Sequence, residues 1–118
     1  NLMEAFRFAL SGLWYTLRTQ RNMRVHLVIA TVVIIMGLWL HLSGDQWALV
    51  ALASGLVLVS EMMNTVTEAL VDLVCPDYHP LAKTVKDVMA GAVVVAAFVA
   101  IIVGLLVLGP PLWSKLAG

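Results

Sequence analysis

VHLVIATVVIIMGLWLHL, residues 25 to 42, contains no Asp, Glu, Lys or Arg. At about 1.5 Å per residue, a helix of this length comes close to crossing the ~30 Å hydrocarbon layer of a bilayer. Its apolar side chains show no polar face, so in water it would need burial on every side, whereas lipid accepts it as it stands. The stretch is therefore read as a transmembrane span. Downstream, SGDQW (43 to 47) supplies turn residues and an interfacial Trp, and a second apolar stretch runs from Trp47 to Val74. CPDYHP (75 to 80) reads as a loop bounded by Pro76 and Pro80, and a third span is expected over 85 to 108, ended by GPP at 109 to 111.

Upstream of the first span, residues 1 to 20 place Leu2, Phe6, Ala9, Leu10, Leu13 and Leu17 at three- and four-residue steps, with Glu4, Arg7, Ser11 and Arg18 largely off that stripe. This predicts an amphipathic helix lying on the membrane surface, ended by the charged run RTQRNMR (18 to 24). The expected architecture is all-α: a surface helix over 1–20 and transmembrane helices over 25–42, 47–74 and 85–108, one integral membrane domain without repeats.

Composition agrees, with 62% of the 118 residues hydrophobic and 12% charged. Seven basic residues balance seven acidic ones, which leaves no net field to attract nucleic acid. Cys75, the one cysteine, has no disulfide partner in the chain and reads as small apolar filler. Arg7 and Arg18 interrupt the first twenty residues, where a secretory signal would need an uncharged core. Arg7, Arg18, Arg21 and Arg24 precede the first span and Lys83 and Lys86 lie between the second and third, while the 43–47 turn has no Lys or Arg and the tail only Lys115. That bias predicts a cytoplasmic amino terminus and an outside carboxyl terminus.

Against this apolar background EMMNTVTEALVD, residues 61 to 72, stands out. Glu61, Asn64, Thr65, Glu68 and Asp72 have helical offsets that fall within an arc of about 100°, so they share one face. Measured inward from Trp47, Glu61 lies about 21 Å and Glu68 about 31 Å along the helix, which puts the stripe across the inner interface beside Lys86 and Asp87. A carboxylate at membrane depth costs several kcal/mol unless paired, protonated or hydrated. Hydrogen-bonding glue between helices would use Asn64 and Thr65 but has no need of acids repeated at helical spacing. The stripe points instead to chemistry. Glu68 and a neighbouring acid suit Mg²⁺ carried in by a nucleotide phosphate, and Glu61 is placed to accept a proton from a lipid hydroxyl.

The run EMMNTVTEALVD, followed by PDYHPLAK and the Lys86-Asp87 pair, resembles the small three-span prokaryotic diacylglycerol kinase family, with its signature E-x-x-N-[ST]-x-x-E-x-x-x-D and a later Lys-Asp. RNMRVH and DLVCPDYHPLAK look more like the Gram-positive branch, which is similar to undecaprenol kinases. The resemblance implies a homotrimer in the bacterial cytoplasmic membrane, with active sites shared between subunits, that uses ATP and Mg²⁺ to phosphorylate a lipid alcohol, undecaprenol first and diacylglycerol as the alternative. It implies Glu61 as general base, Glu68 as metal ligand, Asn64 as a polar organiser of the nucleotide site, Lys86 on the phosphates, Asp87 supporting the nucleotide side, and Tyr78 and His79 on the bordering loop. Where the family carries a metal-binding Glu just before RNMR, this chain has Gln20, a neutral and poorer ligand for a hard dication. An introduced inactivating change and a natural variant with weaker metal binding both account for it.

No GxxxxGK or kinase Gly-rich loop is present, so phosphate recognition would fall to Mg²⁺ and Lys86. His26 and His41, at the two ends of the first span without partners at metal spacing, read as interfacial residues. Gly91 and Gly104 read as close-packing positions. Arg18, Arg21 and Arg24 read first as partners of anionic headgroups and second as a basic patch that attracts ATP to the cytoplasmic face. An ion conductor would require the polar stripe to continue outward, yet between Trp47 and Ser60 only Ser54 and Ser60 are polar. A purely structural membrane protein would tolerate loss of the Glu61 charge.

Overall fold

The computed structural model describes all 118 residues as four helices, α1 Leu2–Thr19, α2 Arg21–Leu40, α3 Gly44–Val74 and α4 Pro80–Ala117. The last three are each long and apolar enough to cross a membrane. α3 and α4 form the most extensive helix pair, and α2 packs more lightly across both. Only 13 of the 118 residues are buried within the chain. Apolar side chains such as Leu52, Leu73, Phe98 and Leu106 face outward, as they must where the surrounding medium is itself hydrocarbon.

α1 starts with a capping box in which the Asn1 side chain accepts from the Glu4 amide. It ends in a one-residue break at Gln20, whose backbone is extended (φ −112°, ψ 111°). The RTQRNMR run is thus no linker: α2 begins at Arg21, four residues before the expected span. Arg24 explains the sharpness of the break. Its Nη1 donates to the carbonyls of Leu17 (2.9 Å) and Arg18 (3.0 Å), satisfying acceptors that the end of α1 leaves free. This guanidinium therefore has a protein partner through Nη1 while the residue stays exposed.

The α2–α3 connection is three residues long. The His41 amide donates to the Leu38 carbonyl and the Leu42 amide to that of Gly37, a Schellman ending that holds His41 in the left-handed region (φ 56°). Ser43 then caps α3 through the Gln46 amide, so the helix begins inside the SGDQW segment. A Cβ built on Gly37 would lie 2.5 Å from Trp47 Cη2 and 3.0 Å from Leu42 Cδ1. Here glycine permits the close approach. Gly91 and Gly104, expected to do so, have open space around them within the chain. Leu40, Leu42, Val50, Val107 and Leu108 close this end of the bundle as its core.

The third span also differs from expectation. α4 starts at Pro80, where proline suits the first helical turn and His79 caps through Nδ1, which accepts from the Leu81 amide at 3.1 Å. It then runs through Pro110 and Pro111 to Ala117, so GPP does not end it. An interior proline removes a hydrogen bond and crowds the preceding turn, at about 3 kcal/mol in a water-exposed helix, but membrane helices carry prolines where neighbouring packing holds them. Leu112 packs against the core, and Lys115 Nζ donates to the Trp39 carbonyl (3.1 Å) while sitting 4.7 Å above the Trp39 ring centroid. These contacts anchor the continued helix to the last turn of α2.

Candidate active site at the α2–α3–α4 inner end

Helical geometry does place the polar residues of α3 on one face, graded in exposure along the axis. Glu61 (3% exposed) and Thr65 (7%) are buried, Asn64 and Glu68 are half-buried, and Asp72 is exposed. The Thr65 hydroxyl donates to the Glu61 carbonyl at 3.0 Å and is thereby satisfied inside its own helix. On the outward side the same face continues as buried Val50, Ala53 and Val57. No polar path extends beyond Glu61, which argues against an ion conductor.

Glu61 has a partner from another helix. His26 Nε2 lies 3.0 Å from Glu61 Oε1, and this is the one side-chain hydrogen bond joining α2 to α3. His26, read from the sequence as an interfacial residue without partners at metal spacing, thus has a carboxylate partner that the spacing did not show. The signal was present in the chain: across a three-residue turn the helices run back antiparallel, and His26 and Glu61 lie about 22 Å and 27 Å from it along their helices. Pairing them requires the rotation of each helix as well, which spacing alone does not supply.

Asn64 Nδ2 donates to Glu68 Oε1 at 3.4 Å, while Asn64 Oδ1 is buried without a hydrogen-bond partner. An orphaned acceptor next to a carboxylate is an oxygen donor set of the kind a hard cation uses. No group of three or more His, Cys, Asp or Glu side chains is gathered in the chain, so the set is partial. Gln20 is not joined to it; its side-chain amide reaches Thr19 Oγ1 at 3.5 Å.

Further along α3, Lys86 Nζ donates to Asp72 Oδ1 at 2.7 Å, tying α4 to the end of the α3 stripe. Lys83 and Asp87 pair along α4 at 2.6 Å. Tyr78 and His79 both sit exposed on the short loop between α3 and α4. The structure thus pairs His26 with Glu61, Asn64 with Glu68 and Lys86 with Asp72 along one face of α3, holds Asp87 to Lys83 on α4, and gives Gln20, Tyr78 and His79 no hydrogen bond to any of them.

Beside this polar face a cavity of about 440 Å³ opens between α2, α3 and α4. Its lining is mostly apolar, including Ile29, Val33, Val57, Ala100 and Leu108, with His26 and Ser54 among the polar residues that border it. Three helices long and apolar enough to cross a membrane, with acids and a histidine near one end of them, define a class: a small polytopic membrane protein. Residues 7–108 match the prokaryotic diacylglycerol kinase family, and the chain belongs to it. It is 47% identical over 115 residues to a diacylglycerol kinase of Synechocystis sp., covering 97% of this chain and 66% of that protein. It is 41% identical over 112 residues to the undecaprenol kinase of Bacillus subtilis, covering 95% and 91%. A diacylglycerol kinase of Escherichia coli is 26% identical over 102 residues, covering 86% and 84%. Family and helices together make this a multi-pass membrane protein of bacterial type and a member of a family of lipid kinases.

Proposed function

We propose that the chain transfers the terminal phosphoryl group of ATP to the hydroxyl of a membrane lipid alcohol, with undecaprenol as the acceptor and undecaprenyl phosphate as the product. The observation that carries this is the buried Glu61 carboxylate, 3.0 Å from a His26 ring that lines an apolar cavity, with half-buried Asn64 and Glu68 about one and two turns further toward the interface. The acceptor's hydroxyl reaches Glu61 from within the bilayer and the nucleotide arrives from the cytoplasm. Glu61 takes the hydroxyl proton as the alcohol oxygen bonds to the terminal phosphorus and the bond to the ADP leaving group breaks. Glu68 and Asn64 Oδ1 would hold Mg²⁺ together with phosphate oxygens. Bound there, the ion supplies charge neutralisation on the transferring group. Lys86, released from Asp72 or shared with it, meets the phosphates, and Asp87 borders the nucleotide.

Two features support an oligomer, which we read as a homotrimer with sites shared between chains. One chain buries few of its residues, and its metal donor set is incomplete. We also read α1 as lying in the interface, since Leu2, Phe6, Phe8 and Trp14 on it are exposed. The amino terminus is then cytoplasmic and the carboxyl terminus outside. Diacylglycerol is the second reading, favoured by the name of the 47% identical relative.

The deciding experiment measures label transfer from ATP to undecaprenol and to diacylglycerol in mixed micelles, for the parent chain and Glu61→Gln. Loss of a general base should lower kcat about 10²- to 10⁴-fold. Equal product from both proteins would reject Glu61 as base, and the preferred acceptor decides between the two lipids.

A further inference from the structure

We infer that His26 is a positioning residue for Glu61, holding one carboxylate oxygen so that the other faces the acceptor hydroxyl; this rests on the reading of Glu61 as base. The Glu61 side chain is 4% exposed, and the ion pairs of the chain bring no Lys or Arg to it. Its carboxylate has one hydrogen-bond partner, His26 Nε2 at 3.0 Å, because the Thr65 hydroxyl goes to the Glu61 backbone and Asn64 turns to Glu68. A carboxylate acting as a base accepts its hydrogen bonds, so the proton of this one is assigned to Nε2. Oε1 is thereby occupied and Oε2 is left for a hydroxyl.

Chemistry favours such a holder at this depth. A glutamate carboxylate hangs on three rotatable bonds, and a base misplaced by about 1 Å loses on the order of 10²-fold in rate. A cation from Lys or Arg would fix it but would also stabilise the charged form and weaken it as a base. A neutral imidazole orients it with less of that penalty. His26 also lines the apolar cavity, so the group that holds the base borders the space through which a lipid would present its hydroxyl.

The test compares the parent, His26→Leu, His26→Gln and Glu61→Gln in mixed micelles, with ATP and lipid alcohol varied separately. His26→Leu keeps bulk and removes the donor; kcat is expected to fall about 10- to 100-fold while KM for ATP stays within about twofold. His26→Gln puts an amide N–H near the Nε2 position, and its kcat is expected to return to within about fivefold of the parent. Parental kcat in His26→Leu beside an inactive Glu61→Gln would overturn the role of His26 and leave the base intact. Failure of Gln to do better than Leu would overturn it equally. An active Glu61→Gln would remove the base reading and this inference with it. Should His26→Leu not fold, the ¹⁵N resonances of His26 in the parent decide: a proton on Nε2 whose signal moves in Glu61→Gln is expected, and a signal indifferent to Glu61 would overturn the proposal.

Discussion

Gln20 differs from glutamate by one amide, yet it sits in the single extended residue between α1 and α2. The amino end of α2 there has no side-chain cap and no acid in its first turn. A negative charge at that position would be favoured by the α2 dipole by about 0.3–1 kcal/mol and opposed by the carboxyl end of α1, so Gln20→Glu should fold about as well as the parent. If the residue lies in the metal shell of the working enzyme, the added charge should lower the half-saturating Mg²⁺ concentration about tenfold, equivalent to about 1.4 kcal/mol, and raise turnover. A Mg²⁺ titration with no change in either would remove Gln20 from that shell. At this scale the acidic face of α3 was legible because helical rotation is invariant. The orphaned Asn64 Oδ1 was not, since satisfaction of an acceptor depends on what packs over it.

Among the elements, the α2–α3 corner shows how a tight connection is made. Gly37 lets Trp47 and Leu42 close over the last turn of α2, and any Cβ there meets the indole at 2.5 Å. Gly37→Ala should gain about 1 kcal/mol of helix propensity and lose about 1–3 kcal/mol to overpacking, for a net drop in the thermal midpoint in detergent. Gly55→Ala, in open space on α3, should keep the propensity gain within the chain and serves as the comparison. A stabilised Gly37→Ala would show that Trp47 can move aside at no cost. Hydropathy marked the apolar centres of α2, α3 and α4, but not their limits. Arg24 folding back on α1 and Lys115 reaching Trp39 set those limits, and both are contacts between elements.

For the molecule as a whole, the surface carries the information. Lys86 is committed to Asp72 on its own α3, while Asp87, the next residue round α4, is 62% exposed in its side chain and pairs only with Lys83. Successive residues on a helix point about 100° apart, so the exposed Asp87–Lys83 pair faces away from Asp72 and toward where a neighbouring copy would pack. If sites are shared, mixing Glu61→Gln with Asp87→Asn chains should recover activity that neither has alone, since random assortment joins an intact Glu61 to an intact neighbouring Asp87 in about one site in four. A mixture as inactive as its components would mean that each site is built within one chain.

By itself the sequence determined that the chain spans a membrane, that α3 carries one acidic face, and where along the axis that face lies. Those properties follow from hydropathy and from a fixed rotation per residue. Tertiary structure alone decided that His26 meets Glu61, that Asp72 takes Lys86, and that α4 continues past its prolines to hold α2. Each is a pairing between helices, set by their relative rotation and separation, and neither quantity is contained in the periodicity of a single helix.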